Sequence, residues 1–182
     1  MSRLIAFLRA INVGGHNVKM DHLRQLFESL GFSNVETFIA SGNVVFETTS
    51  KNTALLERRI EKRLREALGY EVATFIRTDA EVAAIAAYRP FSQSEMDAAL
   101  ALNIAFVADT LDDNSKRKLL ALRTELDDFH VNGREIYWLR RRRQSESTFS
   151  NAFLEKTLGR RATFRGARTL KRLAAKYPAA KP

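Results

Sequence analysis

The chain has 182 residues, of which 45% are hydrophobic and 28% are charged, and its formal net charge is +9 at pH 7. This balance excludes an intrinsically disordered protein, and the absence of cysteine excludes disulfides and thiolate chemistry. No apolar run approaches the roughly 20 residues that cross a bilayer, so we expect a soluble cytoplasmic protein with no membrane partner.

In the first half, the hydrophobic periodicity predicts the order strand, helix, strand, strand, helix, strand. The strands are expected at residues 3–8, 35–40, 43–48 and 71–77, and the helices at residues 19–30 and 53–68. Ser41 and Gly42 are placed in a tight turn between the two middle strands. Thr78 and Glu81 form a capping-box pattern that opens a further short helix. This is the order of a ferredoxin-like unit.

The second half repeats that order. The strands are expected at residues 101–108, 128–132, 134–140 and 161–164, and the helices at residues 112–125, 148–158 and 167–176. Asn132-Gly133 indicates a hairpin. Pro90, Ser92 and Ser94 predict a linker within residues 89–97. We therefore predict an α+β fold of two ferredoxin-like βαββαβ-type halves packed together, residues 1–90 and residues 91–182, with a basic C-terminal helix.

Most of the positive charge lies near the C-terminus. Residues 134–182 hold 14 Lys+Arg and 3 Asp+Glu, a net charge of +11. A block this basic favours partners that carry phosphate, either nucleic acid or a small molecule, although a merely solvated surface has the same composition. The candidate phosphate or nucleic-acid patch consists of Arg140, Arg141, Arg142, Arg143, Arg160, Arg161, Arg165, Arg168 and Arg172.

Two glycine turns form a second candidate site. Paired glycines before a helix can direct free backbone N–H groups at an anion, and polar side chains can complete such a pocket. The candidate ligand-binding residues are Arg9, Asn12, Gly14, Gly15, Lys19, Ser41, Gly42 and Asn43. The spacing of the glycines matches neither the dinucleotide fingerprint nor a Walker motif. The alternative is that the glycines only make turns and the asparagines only cap the backbone.

The sequence offers no catalytic constellation, no cofactor motif and no metal-ligand spacing, so we assign no catalytic, cofactor-binding or metal-binding residue. Ferredoxin-like sheets can bind single-stranded nucleic acid by stacking bases on exposed strand aromatics. Phe7, Phe46 and Trp138 occupy predicted strands, where aromatic residues form either such a surface or the hydrophobic core. The RNA-recognition signature is absent.

The N-terminal motifs resemble a known family. They comprise residues 7–15, with Phe7-Leu8-Arg9-Ala10-Ile11-Asn12-Val13-Gly14-Gly15, and residues 41–46, with Ser41-Gly42-Asn43-Val44-Val45-Phe46. In these motifs the chain is similar to the bacterial domain-of-unknown-function family 1697 (DUF1697). The resemblance implies an α+β fold with two related ferredoxin-like halves and implies no activity. Relatives commonly carry a Thr-Thr-Arg-Asn-Trp-Asn-Thr segment that opens the last helix. At the aligned residues 163–169, this chain has Gly166-Ala167-Arg168 in place of the Asn-Trp-Asn core.

Three functions are compatible with these patterns. The first is a binding protein for phosphate-rich ligands or nucleic acid that uses the basic surface. The second is a small-molecule enzyme or sensor with a pocket at the two glycine turns. The third is a protein-interaction module. The sequence does not determine the oligomeric state.

Overall fold

The first half folds as a four-stranded antiparallel sheet with two helices. The structure is a computed structural model that describes residues 1–179, apart from the side chain of Gln144. The elements are β1 (Ser2–Leu8), α1 (Met20–Glu28), β2 (Ser33–Thr37), β3 (Asn43–Thr48), α2 (Thr53–Leu68) and β4 (Thr74–Thr78). The strand order is β2-β3-β1-β4, and every neighbouring pair is antiparallel.

Two short helices, α3 (Asp79–Ala87) and α4 (Gln93–Asp97), lead into the second sheet. Its elements are β5 (Ala101–Phe106), α5 (Asp113–Leu120), β6 (Asp127–Asn132), β7 (Glu135–Arg140), α6 (Asn151–Leu158), β8 (Thr163–Gly166) and α7 (Ala167–Lys176), with a 3-10 turn at Gln144–Glu146. The strand order β6-β7-β5-β8 repeats that of the first sheet. The predicted α+β fold with duplicated ferredoxin-like halves is confirmed.

The register of the two sheets also repeats. Ile5 on β1 lies opposite Arg77 on β4, and Ile104 on β5 lies opposite Arg165 on β8. Both arginines are buried, and each donates a hydrogen bond from its guanidinium to the carbonyl of the preceding residue, at 2.9 Å and 2.8 Å. The duplication therefore extends to single positions on the edge strands.

Each sheet packs one face against its helices, because successive strand residues point to opposite faces. In the first half, Leu4, Ala6 and Leu8 of β1 join residues of α1 and α2 in one buried cluster. In the second half, Ala105 and Trp138 belong to the equivalent cluster. The alternate residues, such as Ile5, Phe7, Ile104 and Tyr137, are also buried. Burial on both faces explains why the central strands are continuous apolar runs.

Helix boundaries follow local capping. Asn52 precedes α2, and its side chain accepts a hydrogen bond from the Leu55 N–H at 3.0 Å, while Gly69 ends the helix in the left-handed region. The predicted range of α2 is therefore confirmed. Thr78 and Glu81 make the predicted capping box through reciprocal bonds of 3.1 Å and 2.8 Å.

Several local predictions were wrong in detail. The segment predicted as a linker contains α4, which Ser92 and Glu95 open with a capping box of their own. The connection between β2 and β3 spans residues 38–42, which is longer than the predicted tight turn at Ser41-Gly42. The hairpin at Asn132-Gly133 is confirmed, with Asn132 paired to Glu135 across the two-residue turn.

The chain divides into two compact units. The first unit contains Met1–Ala83 together with the chain from Leu173 onward, and the second contains Ala84–Arg172. The end of the chain is tied to the first unit by Tyr177, whose hydroxyl donates to Glu36 Oε2 at 2.6 Å, and by Lys176 Nζ, 3.0 Å from the same oxygen. The Arg3 guanidinium also donates to the Pro178 carbonyl at 3.3 Å.

Candidate functional site

The first candidate site begins where β1 ends. Residues 9–19 connect β1 to α1, and residues 13–17 within this loop are all exposed. Gly14 and Gly15 have φ of +66° and +89°, and a Cβ added to either would meet no atom within 4 Å. These glycines are therefore needed for backbone conformation and not for space. Lys19 is exposed and occupies the N-cap position of α1, where its side chain makes no capping bond.

The loop after β1 meets the connection between β2 and β3. The Leu8 N–H donates to the Gly42 carbonyl at 2.8 Å, and Asn12 Nδ2 donates to the Ala40 carbonyl at 3.1 Å. A Cβ on Gly42 would lie 2.7 Å from Ile11 Cγ2, so only glycine fits at this crossing without displacement. The structure thus brings together the two glycine turns that the sequence singled out.

The amide side chains of the site hold the backbone. Asn12 Oδ1 accepts from the Val18 N–H at 2.7 Å, which fixes the end of the first loop. Asn43 is fully buried, and its Nδ2 donates to the Phe38 carbonyl and to Ser41 Oγ, both at 2.9 Å. These contacts match the alternative in which asparagines cap the backbone. Ser41 is exposed and Arg9 is half-buried.

Two non-glycine residues of the joined turns have a left-handed backbone. Ala10 has φ of +55° and Ile39 has φ of +52°. This region is unfavourable for a residue with a Cβ, above all for β-branched isoleucine, and such outliers concentrate at functional sites. Ile39 is also 40% exposed, and Val13 on the facing loop is 64% exposed. Neither Ala10 nor Ile39 was predicted, because sequence patterns carry no signal for such backbone angles.

Tyr70 fixes the glycine loop from the far end of α2. Its ring stacks on His16 with 3.7 Å between centroids, and its hydroxyl donates to the Ile11 carbonyl at 3.1 Å. Burial raises the pKa of the Tyr70 hydroxyl above its ordinary value of 10.0, and the hydroxyl is a donor at neutral pH with or without this shift. Sequence reasoning missed Tyr70, which lies 59 positions from its hydrogen-bond partner.

The second candidate site, the basic block, is divided between the two ends of the second sheet. Arg140 pairs with Ala101 at the start of β5, and Gly166 at the end of β8 pairs with Asn103 nearby. The arginines that follow these two strands therefore leave the sheet at one end, which we call the basic end. The basic end comprises Arg141, Arg142, Arg143, Arg168 and Arg172.

Arg160 and Arg161 lie at the opposite end of the sheet. They shortly precede Thr163, the first residue of β8, which pairs with Phe106 at the end of β5. Arg160 faces acidic residues there. One of its guanidinium nitrogens is 4.0 Å from a carboxylate oxygen of Asp112, and another donates to the Asp109 carbonyl at 3.5 Å. The predicted patch is thus not continuous along the sheet.

Two other arginines of the predicted patch are not freely exposed. Arg165 is buried, and burial lowers the pKa of its guanidinium to about 10. It donates to Thr163 Oγ1 at 2.9 Å and to the Phe164 carbonyl at 2.8 Å. Arg140 is half-buried, and its guanidinium carbon lies 5.4 Å from the centroid of the Trp138 ring. Neither residue therefore belongs to the basic end.

The strand aromatics belong to the core. Phe7 and Phe46 have no exposed surface and Trp138 is 2% exposed. Trp138 Nε1 donates to the buried Asp127 carboxylate at 2.7 Å. Of the two readings open for these residues, a base-stacking surface is therefore wrong and a core role is correct.

Residues 1–179 contain neither a cluster of metal ligands nor a membrane-spanning helix. No group of three or more His, Asp or Glu side chains there could hold a metal ion. None of the helices in that range has the length and apolar character needed to cross a bilayer.

Comparison with known proteins identifies the family. The sequence model of a family described as "Protein of unknown function (DUF1697)" matches residues 1–137. The chain belongs to this family. A solved structure, that of the conserved bacterial protein SP0830 from Streptococcus pneumoniae, matches with a TM-score of 0.77 at 22% sequence identity. The match covers 98% of this chain and 99% of that one, and it supports the fold. No curated protein matches the sequence.

Proposed function

We propose that this protein binds phosphate-rich ligands, including nucleic acid, through the basic end of the second sheet. The observation that carries the proposal is the register of β5, which brings the arginines after β7 and those of α7 to the same end. Arg142, Arg143 and Arg168 are exposed there, and their side chains form no ion pair with the described residues 1–179. Arginine suits this role because its planar fork matches phosphate oxygens.

The burial of the strand aromatics narrows the mode of binding. Without stacking on Phe7, Phe46 or Trp138, affinity would come from contacts to phosphates. Binding of this kind is independent of sequence and falls steeply with salt concentration.

A salt series with matched variants tests the proposal. Fluorescence anisotropy is measured with labelled single-stranded DNA and RNA for the wild type and for R142Q/R143Q/R168Q. If all three arginines contact phosphates, the slope of log affinity against log salt falls in magnitude by about 2, at about 0.7 per phosphate on a single strand. The control is R58Q/K62Q/R65Q, which removes the same charge from exposed positions on α2. No binding by the wild type at low salt, or equal losses in the two variants, would refute the proposal.

A small-molecule site at the joined glycine turns is the second candidate. The observation that favours this site is the left-handed backbone of Ala10 and Ile39. Such strained backbone angles concentrate at functional sites. Thermal shift with a panel of nucleotides and organic acids tests it. A ligand of this site should lose its shift in Lys19→Ala and Ser41→Ala, both exposed positions, and keep it in R142Q/R143Q/R168Q. The opposite pattern would assign the ligand to the basic end.

A further inference from the structure

The second unit contains a cavity whose lining shares no residue with either candidate site, although Lys171 of the lining lies beside Arg172 of the basic end. Its volume is about 230 Å³. The lining residues come from the end of α3 and the segment after it, from α4, from β5 and β7, and from the first turns of α7. Leu102, Ile104 and Tyr137 form its floor, on the face of the second sheet opposite to the helix-packed Ala105 and Trp138.

The aromatic walls of this cavity are held in place. The Tyr88 and Tyr137 rings lie 5.2 Å apart between centroids. The Tyr88 hydroxyl is 2.9 Å from His130 Nε2, and the Tyr137 hydroxyl donates to the Ile85 carbonyl at 3.3 Å. Because both hydroxyls have partners within the protein, the tyrosines contribute mainly ring surface to the cavity. Phe91 and Met96 add further apolar lining.

The charge of the lining is positive only. Arg89 and Lys171 are the charged residues of the lining, and no carboxylate is among them. Arg89 is fixed at the end of α3, where one guanidinium nitrogen donates to the carbonyls of Ala86, Ala87 and Tyr88 at 3.1 to 3.3 Å. Lys171 is exposed, and its ammonium has no hydrogen-bond or ion-pair partner among residues 1–179. An apolar chamber with two cations matches a ligand that has an apolar body and an anionic group.

We propose that this cavity binds a small aromatic carboxylate, with its ring between Tyr88, Tyr137 and Phe91 and its carboxylate toward Arg89 and Lys171. The volume of the cavity limits the ligand to one ring. An engineered apolar cavity of about 150 Å³ holds benzene, so 230 Å³ accommodates a single ring with a short acidic substituent. The ring surface of the walls favours an aromatic over an aliphatic body, since stacked and edge-to-face pairs add to burial.

Calorimetric titration of the full chain with four probes tests the proposal. Phenylacetate carries both the ring and the carboxylate, benzyl alcohol lacks the charge, acetate lacks the ring, and phenyl phosphate replaces the carboxylate. We expect phenylacetate to bind, benzyl alcohol to bind at least about tenfold more weakly, as expected for the loss of a charged hydrogen bond, and acetate to give no heat. Equal binding of benzyl alcohol, or tighter binding of phenyl phosphate, would overturn the assignment of a carboxylate.

Variants locate the binding. Ala167→Trp places an indole in the cavity at the first residue of α7 and should abolish phenylacetate binding, with folding checked by circular dichroism. If that variant does not fold, Ala86→Leu on α3 fills the same space. Lys171→Gln should weaken phenylacetate about tenfold. R142Q/R143Q/R168Q should leave it unchanged, which separates this site from the basic end. Undiminished binding by a folded cavity-filled variant would overturn the proposal.

Discussion

Replacement of Gly42 by alanine tests the crossing of the two glycine turns most directly. Gly42 has φ of +75°, and an added Cβ would lie 2.7 Å from Ile11 Cγ2, 3.2 Å from Leu8 Cβ and 3.3 Å from the Leu8 carbonyl oxygen. Two of these atoms are the Cβ and the carbonyl oxygen of Leu8, the last residue of β1, so they cannot move unless β1 moves. The substitution therefore combines an unfavourable backbone angle with overpacking.

The two costs can be separated with Gly31. Gly31 has φ of +82° and open space around its virtual Cβ, so Gly31→Ala carries the backbone cost alone, about 1–2 kcal/mol. Gly42→Ala adds the overpacking cost of about 1–3 kcal/mol. We expect the free energy of unfolding to fall by about 2–5 kcal/mol in Gly42→Ala, and by clearly less in Gly31→Ala.

Urea unfolding followed by circular dichroism measures the difference. With an m-value of about 2 kcal/mol/M, the midpoint of Gly42→Ala should lie about 0.5–1.5 M below that of Gly31→Ala. Equal midpoints for the two variants would mean that the alanine Cβ at position 42 meets no steric clash. The close contact between the two glycine turns at Gly42 would then be refuted.

Two further predictions concern polar contacts in the first unit. Asn43→Ala removes a buried amide that donates two hydrogen bonds, and it should lower the free energy of unfolding by about 1–3 kcal/mol. In the same urea assay, Asn17→Ala at an exposed position should leave the free energy of unfolding within about 0.5 kcal/mol of wild type. Similar losses in both variants would contradict the buried role of Asn43. Hydrogen bonds from Tyr177 and then Lys176 hold the pKa of Glu36 below its ordinary value of 4.5. The stability from this contact is fully present above pH 4.5 and is lost as pH falls through the lowered pKa. Glu36→Gln should therefore be less stable than wild type at pH 7, by under about 1 kcal/mol because Glu36 is half exposed, and the gap in melting temperature should close at low pH. A gap that is constant with pH would refute this account.

Periodicity and capping predicted the order of the elements along the chain and most of their positions. The predicted range of α2, residues 53–68, agrees with the helix, which Asn52 caps and Gly69 ends. α5 stops at Leu120, short of its predicted end, because Thr124 Oγ1 accepts hydrogen bonds from the backbone N–H groups of Leu126 and Asp127 and forms a turn there. α4 has only five residues and therefore shows no helical period.

The candidate sites were less predictable, because they depend on register and on contacts between distant segments. Composition alone cannot show that Arg165 points inward while Arg168 is exposed three residues later; the alternation of β8 and the start of α7 decide this. The cavity beside Tyr137 gave no sequence signal, since its lining comes from segments up to 86 positions apart, from Ile85 to Lys171.

The return of the chain to the first unit has a consequence for synthesis on the ribosome. Glu36 cannot meet Tyr177 until the chain has been made as far as residue 177. At about 5–20 residues per second, the 94 residues between Ala83 and Tyr177 take roughly 5–20 s to translate. During that interval the nascent first unit lacks its closing segment, and the second unit is synthesised before the first is complete.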